Sequence, residues 1–134
     1  MAEKTFRVKI VSPDRIFYEG EADFIEFKTT EGEVGVYAQH VPMTSIIAPG
    51  VLRIHSAGSV KEAALLSGFV EILKDSITIL AESVEWPDEI DTKRAEEAKI
   101  RAERRLNHND TDIDYDRAEL ALKRAIVRLL VAHK

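Results

Sequence analysis

The chain has 134 residues, no cysteine and a net charge of −5, and 45% of its residues are hydrophobic. This length allows one domain or two small ones, and the lack of cysteine excludes a disulfide framework. The sequence has no run of about 18 apolar residues, so it predicts no transmembrane helix. Its N-terminus lacks the apolar stretch that is typical of a signal peptide. The overall acidity argues against nucleic acid as a partner.

Residues 1–86 have the pattern of an all-β domain. Phe6, Val8 and Ile10 alternate with charged residues, which is the period of a half-buried strand. Turn signals then separate further strand candidates, which are Arg15–Gly20, Asp23–Thr29, Glu33–Tyr37, Thr44–Ala48, Val51–Ser56, Val60–Leu66, Phe69–Leu73 and Ile77–Ala81. Many short strands with regular turns predict an antiparallel sandwich or barrel.

This first part contains no recognisable catalytic constellation. His40 and His55 are far from each other in sequence and lack a partner carboxylate at metal-ligand spacing. Gly32 and Gly35 are not followed by the Lys-Ser or Lys-Thr of a phosphate-binding loop. A small enzyme that uses one of the two histidines therefore remains only as an alternative.

The chain changes character at Trp86-Pro87. All six glycines and three of the four prolines come before Pro87, and none of either follows it. Residues 1–86 carry 8 Lys and Arg against 13 Asp and Glu, whereas residues 87–134 carry 11 of each. We therefore expect two domains, 1–86 and 87–134, with the first able to fold alone.

The second part predicts two helices. Asp88 or Asp91 can cap the first, which should run to about Leu106, and the second should start near Asp112 after a polar break. A short connection favours an antiparallel hairpin. Its expected seam is rich in alanine, with residues 95, 98 and 102 facing 118, 121 and 125. The expected apolar stripe of the second helix is Ala118, Ala121, Leu122, Ala125, Leu129 and Ala132.

Such a seam suggests a hairpin that can open. Small side chains bury little area, and burial contributes only about 25 cal/mol per Å². If both helices joined into one rod from Ile90 to Ala132, it would be about 65 Å long at about 1.5 Å per residue. An extended form would carry the basic end of the chain far from the sandwich.

Charged residues of the two helices form the candidate site. Asp91, Arg94 and Arg101 fall near one face of the first helix, and Arg117, Arg124 and Arg128 form a stripe on the second. From spacing alone these residues fit a solvated, salt-bridged face. The alternative is an anion site, because clustered guanidinium groups bind phosphates in bidentate fashion.

Seven segments form a distinctive pattern along the chain, and they are Thr30–Val36, His40–Pro42, Pro49–Ile54, Ser67–Glu71, Ile90–Ala95, Arg101–Leu106 and Arg117–Ala125. In sequence and order they closely resemble the epsilon subunit of bacterial F-type ATP synthases. The resemblance covers essentially the whole chain. One departure is Ser67-Gly68, where many members of the family have two glycines.

The resemblance implies a β-sandwich followed by a regulatory helical hairpin, in a subunit that is not itself an enzyme. It implies a place on the central rotor stalk, at the cytoplasmic face of the bacterial cell membrane, where the subunit helps to couple proton transport to ATP synthesis. The implied partners are the gamma subunit, the c-ring and the alpha and beta subunits, with the membrane reached only through the complex.

The resemblance also implies a regulatory ligand, ATP, with no catalytic cofactor and no metal. Some members bind ATP on the folded hairpin, and the matching residues here are Glu85, Asp91, Arg94, Ala95, Arg101, Arg124 and Arg128. In the extended state, Lys123, Arg124 and Arg128 match a basic stretch that contacts the beta subunit and inhibits ATP hydrolysis. A stand-alone ATP sensor with no rotary partner is the main alternative.

Overall fold

The computed structural model describes residues 4–107 and 114–132, where an eight-stranded β-sandwich precedes two helices. The strands are β1 (Phe6–Ser12), β2 (Arg15–Ala22), β3 (Phe24–Thr29), β4 (Gly32–Tyr37), β5 (Met43–Ile47), β6 (Gly50–Ser56), β7 (Ser59–Ile72) and β8 (Ser76–Glu85). A short 3-10 helix, Pro87–Glu89, leads to α1 (Thr92–Asn107) and α2 (Tyr115–Ala132). The predicted β-sandwich and helix pair are confirmed.

The strands follow the order β2-β1-β8-β7-β5-β3-β4, and β6 pairs with β3 and β7. Neighbouring strands are antiparallel except for β1 and β8, which run parallel among the described pairings. The first and last strands of the domain thus lie side by side. The sandwich core lies between the inward faces, where alternate residues such as Val8, Ile10, Phe27 and Ile79 are completely buried.

The prediction of two separate strands at Val60–Leu66 and Phe69–Leu73 is wrong, because β7 is one continuous strand of 14 residues. Its pairing with β8 shifts register around Ser67, which marks a β-bulge. Gly68 has φ +147°, and a Cβ there would clash with the Leu80 carbonyl oxygen. The glycine therefore bends the strand and does not end it.

The helix starts are fixed by aspartates. The Asp91 Oδ1 accepts the Arg94 backbone N–H at 3.0 Å, so Asp91 caps α1. The Asp114 Oδ1 accepts the Arg117 backbone N–H at 3.1 Å, so α2 begins at Tyr115. Asp112, where a start was expected, lies outside the described residues. Among the residues that the structure describes, neither helix is long and apolar enough to cross a membrane.

Alanines line the seam of the hairpin. Ala95 and Ala102 of α1 are buried, as are Ala118 and Ala125 of α2. Among the described elements, α1 makes its main contacts with α2 alone, whereas α2 also contacts β6 and β7. The first helix is therefore held to the sandwich through the second.

The expected stripe of α2 omitted two valines that pack against the sandwich. Val127 and Val131 are buried in a cluster with Ala64 and Leu66 of β7 and with Ile90. We call these five residues the interdomain cluster. Because α2 packs on two neighbours, it buries a second apolar side that a search for one stripe does not find. This cluster is small, so it stabilises the docked hairpin only modestly.

Candidate functional site

The linker between sandwich and hairpin is anchored at one point. Both Nη groups of Arg15 donate to the Glu89 carboxylate, at 2.7 and 2.8 Å. The Trp86 backbone N–H donates to the same carboxylate at 2.9 Å. The Trp86 ring stacks on Phe17, with 4.1 Å between ring centroids. This bidentate pair and the stacked rings fix where the hairpin leaves the sandwich.

These contacts predict a pH dependence. Hydrogen bonds from Arg15 and then from Trp86 lower the pKa of Glu89 below its ordinary value of 4.5. The lowered pKa stabilises the folded chain above that ordinary value, and this stability is lost as the pH falls through the folded-state pKa. Glu89→Gln should lower the melting temperature slightly at pH 7 and reduce its fall in acid. Glu82→Gln, at an exposed carboxylate on β8, is the control. Identical pH profiles for wild type and Glu89→Gln would contradict the anchoring role.

The base of α1, the end of β8 and α2 enclose a cleft of about 470 Å³. We call it the hairpin cleft. Its lining residues are Glu85, Glu89, Asp91, Arg94, Ala95, Ala98, Arg101 and Arg128. Six of the seven residues expected at an ATP site thus lie around one cavity, and Arg124 is the exception.

The hairpin cleft has both paired and unpaired cations. The Arg128 Nε–H donates to Glu85 Oε1 at 2.6 Å, which ties α2 to the end of the sandwich. Within the part of the chain that the structure describes, the guanidinium groups of Arg94 and Arg101 have no hydrogen-bonded or ion-pair partner. Two free guanidinium groups beside one cavity favour the binding of a multiply charged anion.

Arg124 and Lys123 lie elsewhere. Both line a second cleft, between α2 and the sandwich, that shares no lining residue with the first. Arg117 is exposed near the start of α2 and also lies outside the hairpin cleft. The prediction that Arg124 binds ATP stays a prediction, and it requires the side chain to turn toward the hairpin cleft.

Two lining residues, Ala98 and Glu89, were missing from the site expected from the sequence, and of these only Glu89 is charged. Other acidic residues surround Glu89 in the sequence, so nothing local singles it out, and its partner Arg15 lies 74 residues earlier in the chain.

The two histidines occupy separate positions. His55 Nε2 is 2.9 Å from Glu26 Oε2, and His40 Nδ1 is 2.7 Å from the Val41 carbonyl oxygen. Neither histidine lines the hairpin cleft, so the enzyme alternative gains no support from their placement.

The fold and cleft define a class, a β-sandwich protein that carries a docked helical hairpin. Residues 5–87 match the family model for the ATP synthase delta/epsilon chain, beta-sandwich domain. Residues 88–133 match the model for the long alpha-helix domain of the same chain. The chain therefore belongs to the ATP synthase delta/epsilon chain family.

Curated relatives agree with this assignment over nearly their whole length. The ATP synthase epsilon chain of Caldanaerobacter subterraneus subsp. tengcongensis is 44% identical, covering 98% of this chain and 96% of the relative. That of Shouchella clausii is 47% identical, covering 97% of each. A chain in the Euglena gracilis mitochondrial ATP synthase structure, OSCP/F1/c-ring, has the same fold, with a TM-score of 0.82 at 22% identity over 97% of this chain and 82% of that one.

Proposed function

We propose that this chain is the epsilon subunit of a bacterial F-type ATP synthase, a non-catalytic part of the central rotor at the cytoplasmic face of the cell membrane. It helps to couple proton transport to ATP synthesis, and its helices inhibit ATP hydrolysis. The observation that carries the proposal is the match of both family domains, in order, over residues 5–133. Of two solved ATP synthase structures with this fold, one contains OSCP, F1 and the c-ring and the other the central stalk and c-ring, which fits a rotor position.

A row of exposed apolar residues supports docking to the stalk. Ile46 pairs with Phe69, Phe69 with Leu80, Leu80 with Val11, and Val11 with Ile16, across five adjacent strands. Four of the five are exposed, from 41% for Phe69 to 58% for Ile46. Scattered exposed apolar residues are normal, but a continuous row in register marks an interface. We call it the outer row and assign it to the gamma subunit.

A charge in the outer row should break this interface. We expect Phe69→Glu and Leu80→Glu each to weaken binding to gamma by about 2 kcal/mol or more, because a buried charge would have no partner. Co-purification and calorimetry with gamma measure the effect. Val60→Glu is a matched control. Val60 lies on β7, as Phe69 does, and is 51% exposed, but it lies outside the outer row. Equal binding by all three variants would place the interface elsewhere.

The hairpin cleft supports a regulatory role for ATP. Arg94 and Arg101 are free to hold phosphate groups, and Asp91 and Glu85 offer acceptors for amino or hydroxyl groups. Ala95 and Ala98 leave room between these charges. ATP in this cleft would touch the sandwich end and both helices, and would therefore hold the hairpin folded. Calorimetric titration of the isolated chain with ATP tests this directly.

Inhibition and ATP binding would then exclude each other. In the folded state Arg128 is paired with Glu85, and the side chain is only about a third exposed. Extension of the hairpin would break this pair and expose Arg124 and Arg128, which would form a basic surface with the already exposed Lys123. We propose that this surface contacts acidic groups of the beta subunit in the alpha–beta head.

The alternative is a stand-alone ATP sensor. It predicts ATP binding by the same cleft but no stable complex with gamma. The outer row favours the stalk subunit, since a monomeric sensor has no need of a continuous exposed apolar row. Copurification from cells at a fixed stoichiometry with gamma separates the two functions.

A further inference from the structure

The linker between β8 and α1 is divided between two packing clusters. The ring of Trp86 packs against the sandwich core, where it stacks on Phe17. Four residues later, Ile90 is buried in the interdomain cluster together with Val127 and Val131 of α2. The start of the linker is therefore part of the sandwich, whereas its end packs against the hairpin.

Polar contacts hold the start of the linker to the sandwich. The Glu89 carboxylate accepts both Nη groups of Arg15 and the Trp86 N–H, and the Glu89 N–H donates back to the Trp86 carbonyl at 3.0 Å. The Arg15 guanidinium also lies over the Phe17 ring, 5.1 Å from its centroid. We call Arg15, Phe17, Trp86 and Glu89 the linker clasp. An exposed ion pair alone stabilises little, but bidentate geometry and stacked rings add to it.

The contacts that dock α2 are separate from the linker clasp. The 3-10 helix lies beside α2 and β7, yet within the residues that the structure describes no hydrogen bond of residues 86–89 reaches α1 or α2. Docking of α2 rests instead on the pair between Arg128 and Glu85 and on the interdomain cluster. Because these contacts share no residue with the clasp, undocking of α2 can break them and leave the clasp complete.

The backbone at Ile90 suits a hinge. Its angles, φ −78° and ψ 125°, are those of extended chain, and its N–H makes only a long bond, 3.4 Å, to the Pro87 carbonyl. From Asp91 onward the chain is held as a helix, because Asp91 accepts the backbone N–H groups of Arg94 and Ala95. Hinges are typically a few residues at the ends of elements, and Ile90 lies between two segments that are each held in place.

We propose that the linker clasp stays closed when the hairpin extends, and that the chain pivots at Ile90 and Asp91. The inference rests on the proposed extension and adds where the moving part of the chain begins. A rod from Asp91 to Arg128 would span about 55 Å at about 1.5 Å per residue. An open clasp would add four residues of free chain, which is about 13 Å at about 3.3 Å per residue. The clasp therefore fixes how far the basic surface of α2 can reach.

Trp86 is the only tryptophan of the sequence, so its fluorescence reports on the linker clasp. The test uses the full chain with Val127→Asp, Val131→Asp and Arg128→Glu, which together remove the docking contacts of α2. We expect this undocked variant to keep the emission maximum of the wild type and the same quenching of Trp86 by acrylamide.

Arg15→Glu is the variant that should open the clasp, because it places two carboxylates side by side. We expect it to raise the acrylamide quenching of Trp86 about twofold or more and to shift the emission to the red, since the indole leaves its stacked position. Arg7→Glu is the matched control. Arg7 is also exposed and pairs with Glu19 on the neighbouring strand, so reversal of its charge should leave Trp86 unchanged.

NMR of the same chains locates the pivot. Shifts of the Ala64 and Leu66 amide signals report that α2 is undocked, and the Glu89 amide should then stay as protected from hydrogen exchange as in the wild type. Quenching of Trp86 in the undocked variant as strong as in Arg15→Glu, or loss of protection at Glu89, would overturn the proposal. So would unchanged quenching in Arg15→Glu. Cross-linking α2 to the sandwich in the assembled enzyme tests extension itself, so a failure of the proposed function is distinguished from a failure of the clasp.

Discussion

Fixing α2 to the sandwich should abolish the inhibition of ATP hydrolysis at every ATP concentration. A disulfide or short cross-link between cysteines placed at Ala64 and Val131 would join two members of the interdomain cluster. The hairpin then cannot extend, so Lys123, Arg124 and Arg128 cannot reach the alpha–beta head. Hydrolysis by the assembled enzyme, before and after reduction, measures the effect.

The two single-cysteine variants control for the substitutions themselves. Deletion of residues 87–134 provides a second control, because it should also raise hydrolysis while ATP synthesis is largely kept. Reduction of the cross-link should restore inhibition. Inhibition that persists with the cross-link closed would rule out extension of the hairpin as its mechanism.

Removing one free guanidinium from the hairpin cleft should weaken ATP binding strongly. We expect Arg94→Ala and Arg101→Ala each to cost about 1.5–3 kcal/mol, the scale of a hydrogen bond to a charged group. That is about a tenfold to hundredfold loss of affinity, measured by calorimetry on the isolated chain. Arg128→Ala should weaken ATP binding less than the loss of its own contacts with ATP would suggest, because the substitution also frees the Glu85 carboxylate.

Arg53→Ala is the matched control. Arg53 lies on β6, pairs with Glu62 at 2.8 Å and does not line the hairpin cleft, so its loss should leave ATP affinity unchanged. Circular dichroism confirms that each variant is folded. Equal ATP affinity in Arg94→Ala, Arg101→Ala and Arg53→Ala would move the site out of the hairpin cleft.

For ATP to control inhibition, its binding must stabilise the docked hairpin enough to shift the equilibrium with the extended form. A ligand at about 100 times its dissociation constant stabilises the state it binds by about 2.7 kcal/mol. The docked hairpin is held by an alanine seam, the small interdomain cluster and the pair between Arg128 and Glu85. We expect such a ligand to shift the equilibrium between the docked and extended hairpin, so inhibition should weaken as ATP rises.

Sequence alone determined the features that depend on local periodicity and on residue type. Alternation placed Phe6, Val8 and Ile10 in a half-buried strand, and the strand period gave the all-β domain. The sequence placed the start of α1 at Asp88 or Asp91, before an Ala-rich helical repeat, and the cap contact in the structure selects Asp91. The seam alanines follow from the same helical period. These patterns are local, so they can be read without knowing which parts of the chain meet.

Tertiary structure alone decided which charges meet. Arg124 and Arg128 lie four residues apart on one helix, yet packing of α2 between α1 and the sandwich places them in different clefts. The Arg15 pair with Glu89 joins residues 74 apart in sequence, so no local pattern announces it. Gly68 looked like a break between strands, but pairing on both sides carries β7 through it. Contacts between distant segments depend on the packing of whole elements, and spacing along the chain does not encode that packing.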